Sequence, residues 1–198
     1  TWEQGPGMDL LGVLLNWFPQ ISFIAEDLGI LTDEVHKLRE VSGLPGMKVL
    51  EFAFSGPDNA YLPHNYTPHC ICYTGTHDND TAAGWYANAT EEERAFAEAY
   101  LGTAGAENVR KALLRMGQSS VAELFVAQMQ DYLGLDSRSR INVPGVPLGN
   151  WRWRLSSDAL TPDLAREIRT QNALYGRCAP PAKEELEDSL EEMVENNK

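Results

Sequence analysis

Short apolar runs that stop abruptly at polar or acidic residues set the terms for this chain. Cys70-Ile71-Cys72-Tyr73 reads as a buried strand, and Thr74-Gly75-Thr76-His77-Asp78-Asn79-Asp80 follows it at once. Upstream, the run 21–25 reads as a short buried strand ending in Glu26-Asp27. Residues 47–54, rich in β-formers, read as a further strand. Helical patterns lie around and between them. Residues 8–17 form one, stopped by Pro19, and a capped segment after Thr32 carries Val35, Leu38 and Val41 at helical spacing. This alternation predicts three or four βα units, an α/β fold with a parallel sheet. In such folds catalytic groups gather at the C-terminal ends of strands, where a rigid scaffold positions the loops. Two strand ends bearing carboxylates predict an enzyme that uses acid chemistry on a polar, neutral substrate.

Charge and cysteine content narrow the class. A net charge of −13 argues against nucleic acid, whose phosphates call for a basic footprint, and against an anionic membrane surface. No stretch has the length and apolarity of a membrane-spanning helix, and no signal peptide is recognised. Three cysteines do not make a disulfide framework. Cys70 and Cys72 share one strand face and are expected to pack in a reducing compartment. A soluble, cytoplasmic protein is the expectation.

Further along, residues 55–68 form a long loop carrying Gly, Pro and Asn, of a kind that is functional in compact domains. Thr90-Glu91-Glu92-Glu93 opens a helix with a capping-box pattern, and 107–116 is another helix. Pattern alone does not separate helix from strand over 119–131. Residues 143–149 are a Pro/Gly loop before Trp151 and Trp153, and 162–171 is a helix. There are no internal repeats.

Six ordered motifs carry a resemblance: Ile24-Ala25-Glu26-Asp27-Leu28-Gly29, Leu44-Pro45-Gly46-Met47-Lys48-Val49-Leu50, Tyr61-Leu62-Pro63-His64-Asn65-Tyr66, Tyr73 through Asp80, Arg140-Ile141-Asn142-Val143-Pro144-Gly145, and Gly149-Asn150-Trp151-Arg152-Trp153-Arg154. From about Trp2 to about Leu155 the chain resembles the C-terminal part of amylomaltase, the 4-α-glucanotransferase or disproportionating enzyme of the α-amylase clan. The resemblance implies the second half of a (β/α)8 TIM barrel, strands five to eight, plus C-terminal helices. A whole barrel takes about 250 residues, more than are present. Residues 1–180 would hold the half-barrel. Residues 181–198 would form an acidic terminal helix or tail, with Leu186, Leu190, Met193 and Val194 at helical intervals and a solvated charged face.

Retaining cleavage of a glycosidic bond uses two carboxyl groups roughly 5–5.5 Å apart, one an acid that protonates the leaving oxygen and one a nucleophile. The acid must keep its proton near neutral pH, through burial or a neighbouring negative charge. Glu26, after an apolar run and beside Asp27, fits the acid, and the resemblance makes it the general acid/base. It makes Asp78 the carboxylate that holds sugar hydroxyls and stabilises the oxocarbenium-like transition state, with His77 donating to the same ring. Asn79, Asp27, His64, Asn65 and Trp85 are the further candidates for sugar binding. Tyr61, Asp58, Tyr86 and Asn150 are weaker ones, and Trp151 and Trp153 read more readily as core packing. The family's nucleophile, an aspartate at the end of the fourth strand, belongs to a segment N-terminal to this chain.

The implied function is a part of a retaining enzyme that moves α-1,4-glucan segments between maltodextrins without metal or organic cofactor. Its location would be cytoplasmic, or a plastid in a eukaryotic host. Alone, the chain is expected to lack activity. A catalytically inactive glucan-binding fragment would use the same subsite residues. A zinc module built from His64, His69, Cys70, Cys72 and His77 is disfavoured, because Cys-x-Cys on a strand is not a zinc spacing. Half a barrel leaves strand edges unpaired and one core face open. The chain is therefore expected to be marginally stable, to self-associate, or to need an N-terminal half.

Overall fold

The computed structural model describes residues 3–178. The acidic segment 181–198 lies outside the described residues. Three parallel strands form the sheet: β1 (Gly46–Val49), β2 (Cys70–Tyr73) and β3 (Leu124–Val126), side by side in that order. Their register aligns Val49 with Tyr73 and Tyr73 with Val126, so all three strands end at one level. Before β1 come α1 (Met8–Trp17) and α2 (Asp33–Ser42). Between β2 and β3 run α3 (Ala82–Asn88), α4 (Glu91–Leu101) and α5 (Ala106–Ser119). After β3 come α6 (Met129–Tyr132) and α7 (Pro162–Leu174).

The core lies between the sheet and α3–α5. Cys70 and Cys72 point into it from β2, with Leu50, Phe54, Leu62, Ala82, Ala97, Val109 and Leu113 around them. Helix α5 supplies Val109, Leu113, Leu114 and Gly117, spaced to share one face. Full burial of a leucine such as Leu50, Leu62 or Leu113 stabilises the fold by roughly 1.5–3 kcal/mol. The capping box at the head of α4 is formed as the sequence predicts: Thr90 Oγ1 accepts from Glu93 N at 3.2 Å, and Thr90 N donates to Glu93 Oε2 at 3.0 Å.

Two strand expectations are corrected. Residues 21–25 form no ladder. They run beside β1 with a single backbone bond, Ala25 N to Pro45 O at 2.9 Å, and Ile21 and Ile24 are exposed. An apolar run becomes a strand only when a neighbour pairs along its length. Similarly, the run 47–54 stops as a strand at Val49 and turns through a 3₁₀ turn, Leu50–Phe52. An alternating strand would send Val49 and Leu50 to opposite faces. The turn instead puts Leu50, Ala53 and Phe54 into the same core. Helix α3, short and carrying Gly84, was not anticipated. The stretch 119–131, where pattern alone does not separate helix from strand, contains both kinds of element, β3 and then the start of α6.

At the N-terminal end of the sheet, His69 bridges all three strand approaches. Its Nδ1 meets Glu123 Oε1 at 2.8 Å and its Nε2 meets Gly43 O at 2.8 Å. With an acceptor at each nitrogen the ring is held above its ordinary pKa, chiefly by the Glu123 contact.

Asp27 ties segment 25–27 to the sheet. Its Oδ1 accepts from Met47 N at 2.6 Å, and its Oδ2 pairs with Arg39 at 3.3 Å. Glycine is required at Gly46, because a Cβ there would collide with the Asp27 carboxylate. Gly46→Ala should displace Asp27, cost about 1–3 kcal/mol through the lost charged hydrogen bond, and lower the thermal midpoint. An unchanged midpoint would show that Asp27 does not hold this segment.

Candidate active site

Because the strands are parallel and end in register, every following loop leaves on the same side. An open cleft of about 1430 Å³ lies there. Glu26 and Leu28 enter it from the segment beside β1, Glu51 and Phe52 from the turn after β1, and Thr76 through Asp80 from the loop after β2. Gln128 follows β3, and Trp85, Asn88, Arg140, Ile141 and Pro144 complete the wall.

The loop after β2 is braced from within. Asn79 Oδ1 accepts from Thr76 N at 3.0 Å and from Thr76 Oγ1 at 2.8 Å, and Asp78 N donates to Thr76 Oγ1 at 3.2 Å. Asp80 receives Thr81 N at 2.8 Å and Ser137 Oγ at 2.7 Å, while its carbonyl accepts from Gln128 Nε2 at 2.9 Å. Beneath the loop, the fully buried Asp131 accepts from Thr74 Oγ1 at 2.5 Å and from Ala82 N at 2.7 Å. One buried carboxylate thereby fixes both ends of the loop, at the close of β2 and the start of α3. Arg110, itself buried, donates to the Asp131 carbonyl at 2.5 Å.

Asp78 and His77 sit half-exposed in the cleft. His77 Nε2 lies 3.3 Å from Asp78 Oδ1. Asn142 Nδ2 donates to Asp78 Oδ1 at 2.5 Å, and Arg140 Nη2 donates to the Asp78 carbonyl at 2.6 Å. The His77 ring packs on Trp151, centroids 5.2 Å apart.

The sequence-derived candidates divide into two groups. Glu26, His77, Asp78, Asn79 and Trp85 meet in the cleft. Glu26 is exposed there, and Asp27 turns away to Met47 and Arg39 instead of lying against it. His64 and Asn65 are turned into their own loop. His64 contacts Tyr100 Oη at 2.9 Å and Pro57 O at 3.0 Å, and Asn65 Nδ2 donates to Pro57 O and Asn59 O, each at 3.0 Å. Trp85 also supports the core, 5.1 Å from Phe54. The residues weighed for a metal go to separate tasks: His64 and His69 hold backbone carbonyls, Cys70 and Cys72 pack in the core, and His77 faces the cleft. Among the described residues, no group of three or more His, Cys, Asp or Glu is placed to hold a metal ion.

Glu51 is the residue that sequence reading passed over. It is 7% exposed, lines the cleft floor, and its Oε1 has no hydrogen-bond partner. The absent side chain of Gly75 makes room for it, since a Cβ there would lie 2.8 Å from Glu51 Oε1. Burial, then the charges of Asp131 and Asp80, push the Glu51 carboxyl up to about 9. A glutamate in an apparent strand interior gave no signal of this.

A family model described as 4-alpha-glucanotransferase matches residues 1–161. This chain belongs to that family. The 4-alpha-glucanotransferase of Thermus thermophilus is 47% identical over 176 residues, 85% of this chain and 35% of the relative. That of Clostridium butyricum is 42% identical over 179 residues, 89% of this chain and 37% of the relative. The fold is similar to that of the amylomaltase from Streptococcus agalactiae solved with acarbose, with a TM-score of 0.83, 34% identity, and coverage of 89% of this chain and 36% of that one. The chain thus spans about a third of the length of the 4-alpha-glucanotransferases it matches.

Glu51 sets a pH dependence for this family member. An unfolded chain releases the Glu51 proton near its ordinary 4.5, while the fold keeps it to about 9. Across that window the folded state binds more protons, so stability is full below it and falls as pH rises. Glu51→Gln, which cannot ionise, should raise the thermal midpoint by an amount that grows from pH 5 to pH 9. Parallel curves for the two proteins would contradict the buried proton.

Proposed function

We propose that this chain is the C-terminal part of a retaining 4-α-glucanotransferase, corresponding to strands five to eight of a (β/α)8 barrel. In this reading the segment 21–25 takes the place of strand five, and β1 to β3 take those of strands six to eight. The observation that carries it is the convergence of Glu26 with the His77–Asp78 pair in one cleft, at the ends of parallel strands. Glu26 acts as the acid that protonates the leaving glycosidic oxygen, and then as the base for the incoming 4-hydroxyl. Asp78, oriented by Asn142, and His77 hold ring hydroxyls and steady the positive charge that builds up at the anomeric carbon. Phe52, Tyr61 and Trp85 offer aromatic walls to sugar rings. Asp27 serves by position, holding the segment that delivers Glu26.

The attacking aspartate is supplied from a segment outside this chain, so the chain alone forms no glycosyl-enzyme. Maltotriose incubated with it should give no sustained glucose release. Co-expression with the preceding two-thirds of a relative should restore disproportionation. In that assembly Glu26→Gln and Asp78→Asn should each lower the rate by about 10²–10⁴. Glucose and longer maltodextrins formed by the chain alone would overturn the missing-nucleophile reading.

The surface favours a completing partner. Helix α1, which packs on α2, buries no residue, and Leu10, Val13, Trp17, Phe18, Ile21 and Ile24 are exposed apolar side chains along the segment that precedes β1. Either a second copy or the segment N-terminal to this chain covers them. Size-exclusion chromatography should show a species larger than the 22.0 kDa monomer, a self-associated form of the chain alone or a one-to-one complex when that segment is present. A stable, cooperatively unfolding monomer would refute this. Among the described residues no helix is long and apolar enough to cross a membrane. The potato relative is described as chloroplastic/amyloplastic, which extends the cytoplasmic expectation to a plastid for a plant host.

A further inference from the structure

Segment 140–151 grips His77 and Asp78, two of the cleft-facing residues of the loop after β2. Arg140 and Asn142 hold the carbonyl and the carboxylate of Asp78. Nine residues on, Trp151 lays its indole against His77, with 5.2 Å between centroids and 37° between ring planes. Among the described non-glycine residues, Trp151 alone has a positive φ, at 62°. A bulky side chain is disfavoured in that region, where glycine sits freely. Two sets of bonds hold it there. Trp151 N donates to Ile141 O at 2.8 Å. The adjacent Asn150 closes loop 143–149 by accepting from Val143 N at 3.0 Å and donating to Val143 O at 3.2 Å and Val146 O at 2.9 Å. Meanwhile the ring is not a core residue: Trp151 is 57% exposed. Strain retained at an exposed tryptophan calls for a local purpose, and its described aromatic neighbour is His77.

Resting on the glucan-transfer reading of the cleft, we propose that Trp151 is a positioning residue for His77. Its ring fixes the tilt of the imidazole so that Nε2 stays beside Asp78 Oδ1, while Arg140 and Asn142 fix Asp78 itself. The segment then presents the pair as one preset hydrogen-bonding unit to a sugar ring. Without the indole, His77 swings free while Asp78 stays bound, and sugar binding loses the histidine's share.

The test uses the full chain in solution and the variants Trp151→Ala, Trp151→Gly and Trp151→Phe. The His77 ring protons, assigned by their loss in His77→Gln, should be displaced in the wild type by the indole ring current. They should return to the position of a free histidine in Trp151→Ala and Trp151→Gly, and keep part of the displacement in Trp151→Phe. Acarbose affinity should fall about tenfold in Trp151→Ala, as expected for one lost charge-adjacent hydrogen bond, and recover in part in Trp151→Phe. Trp151→Gly, relieved of the positive φ, should unfold no earlier than Trp151→Ala. His77 resonances unmoved in Trp151→Ala, or acarbose bound equally well by it, overturn the role of Trp151. A wild-type chain that ignores acarbose overturns the reading of the cleft, and the His77 resonances still decide the role of Trp151.

Discussion

The alignment of Val49, Tyr73 and Val126 across three parallel strands is the constraint on which the site depends. Parallel strands slant their hydrogen bonds in one direction, and each connection must return through a crossover. Both connections here, 50–69 and 74–123, leave from the same end of the sheet as the tail that follows β3. Two bonds extend the ladder just past the strands, Thr74 N to Val126 O at 3.1 Å and Glu51 N to Thr74 O at 3.2 Å. They carry the order of the sheet one residue further, into the cleft floor. A slip of one position in β2 would turn Cys70 and Cys72 toward the opposite face and move the loop that bears His77 and Asp78.

Carboxyl groups divide the work below and within that cleft by what surrounds them. Asp131 is buried with a donor at each oxygen, so it acts as a fixed post for the loop, although burial raises its carboxyl above the ordinary range. Asp80 is a bracket between α3 and the turn at Ser137. Glu51 is buried with an unpaired oxygen and keeps its proton. Glu26 and Asp78 face open solvent and are free to meet a ligand. Identity of side chain says little here; burial together with the donors within reach assigns the role.

Local signals in the sequence revealed what local physics decides. The capping box at Thr90 and Glu93, the apolar run Cys70–Tyr73 and the polar cluster after it are each complete within a few residues, and each is found in the structure. Long-range outcomes were hidden. Whether 21–25 becomes a strand depends on a partner edge, and only Ala25 finds one. The end of β1 at Val49 depends on where the core lies, and so does the burial of Glu51. His64 and Asn65 looked available because their acceptors, Pro57 O and Asn59 O, are carbonyls of the same loop and leave no trace in side-chain pattern. The tilt of Trp151 onto His77 joins residues far apart in the chain, so the motif containing it could not distinguish packing from service to the site.

The histidine staple at the far end of the sheet separates two mechanical tasks. His69 gathers the strand entries at Gly43 and Glu123, on the side away from the cleft. Slack introduced there loosens the roots of the strands first and reaches the rim only through the length of the sheet. Both partners of the His69–Glu123 contact are half-exposed, so the imidazole supplements a base held by the strand ladder, and its protonation as pH falls lets both ring nitrogens donate at once.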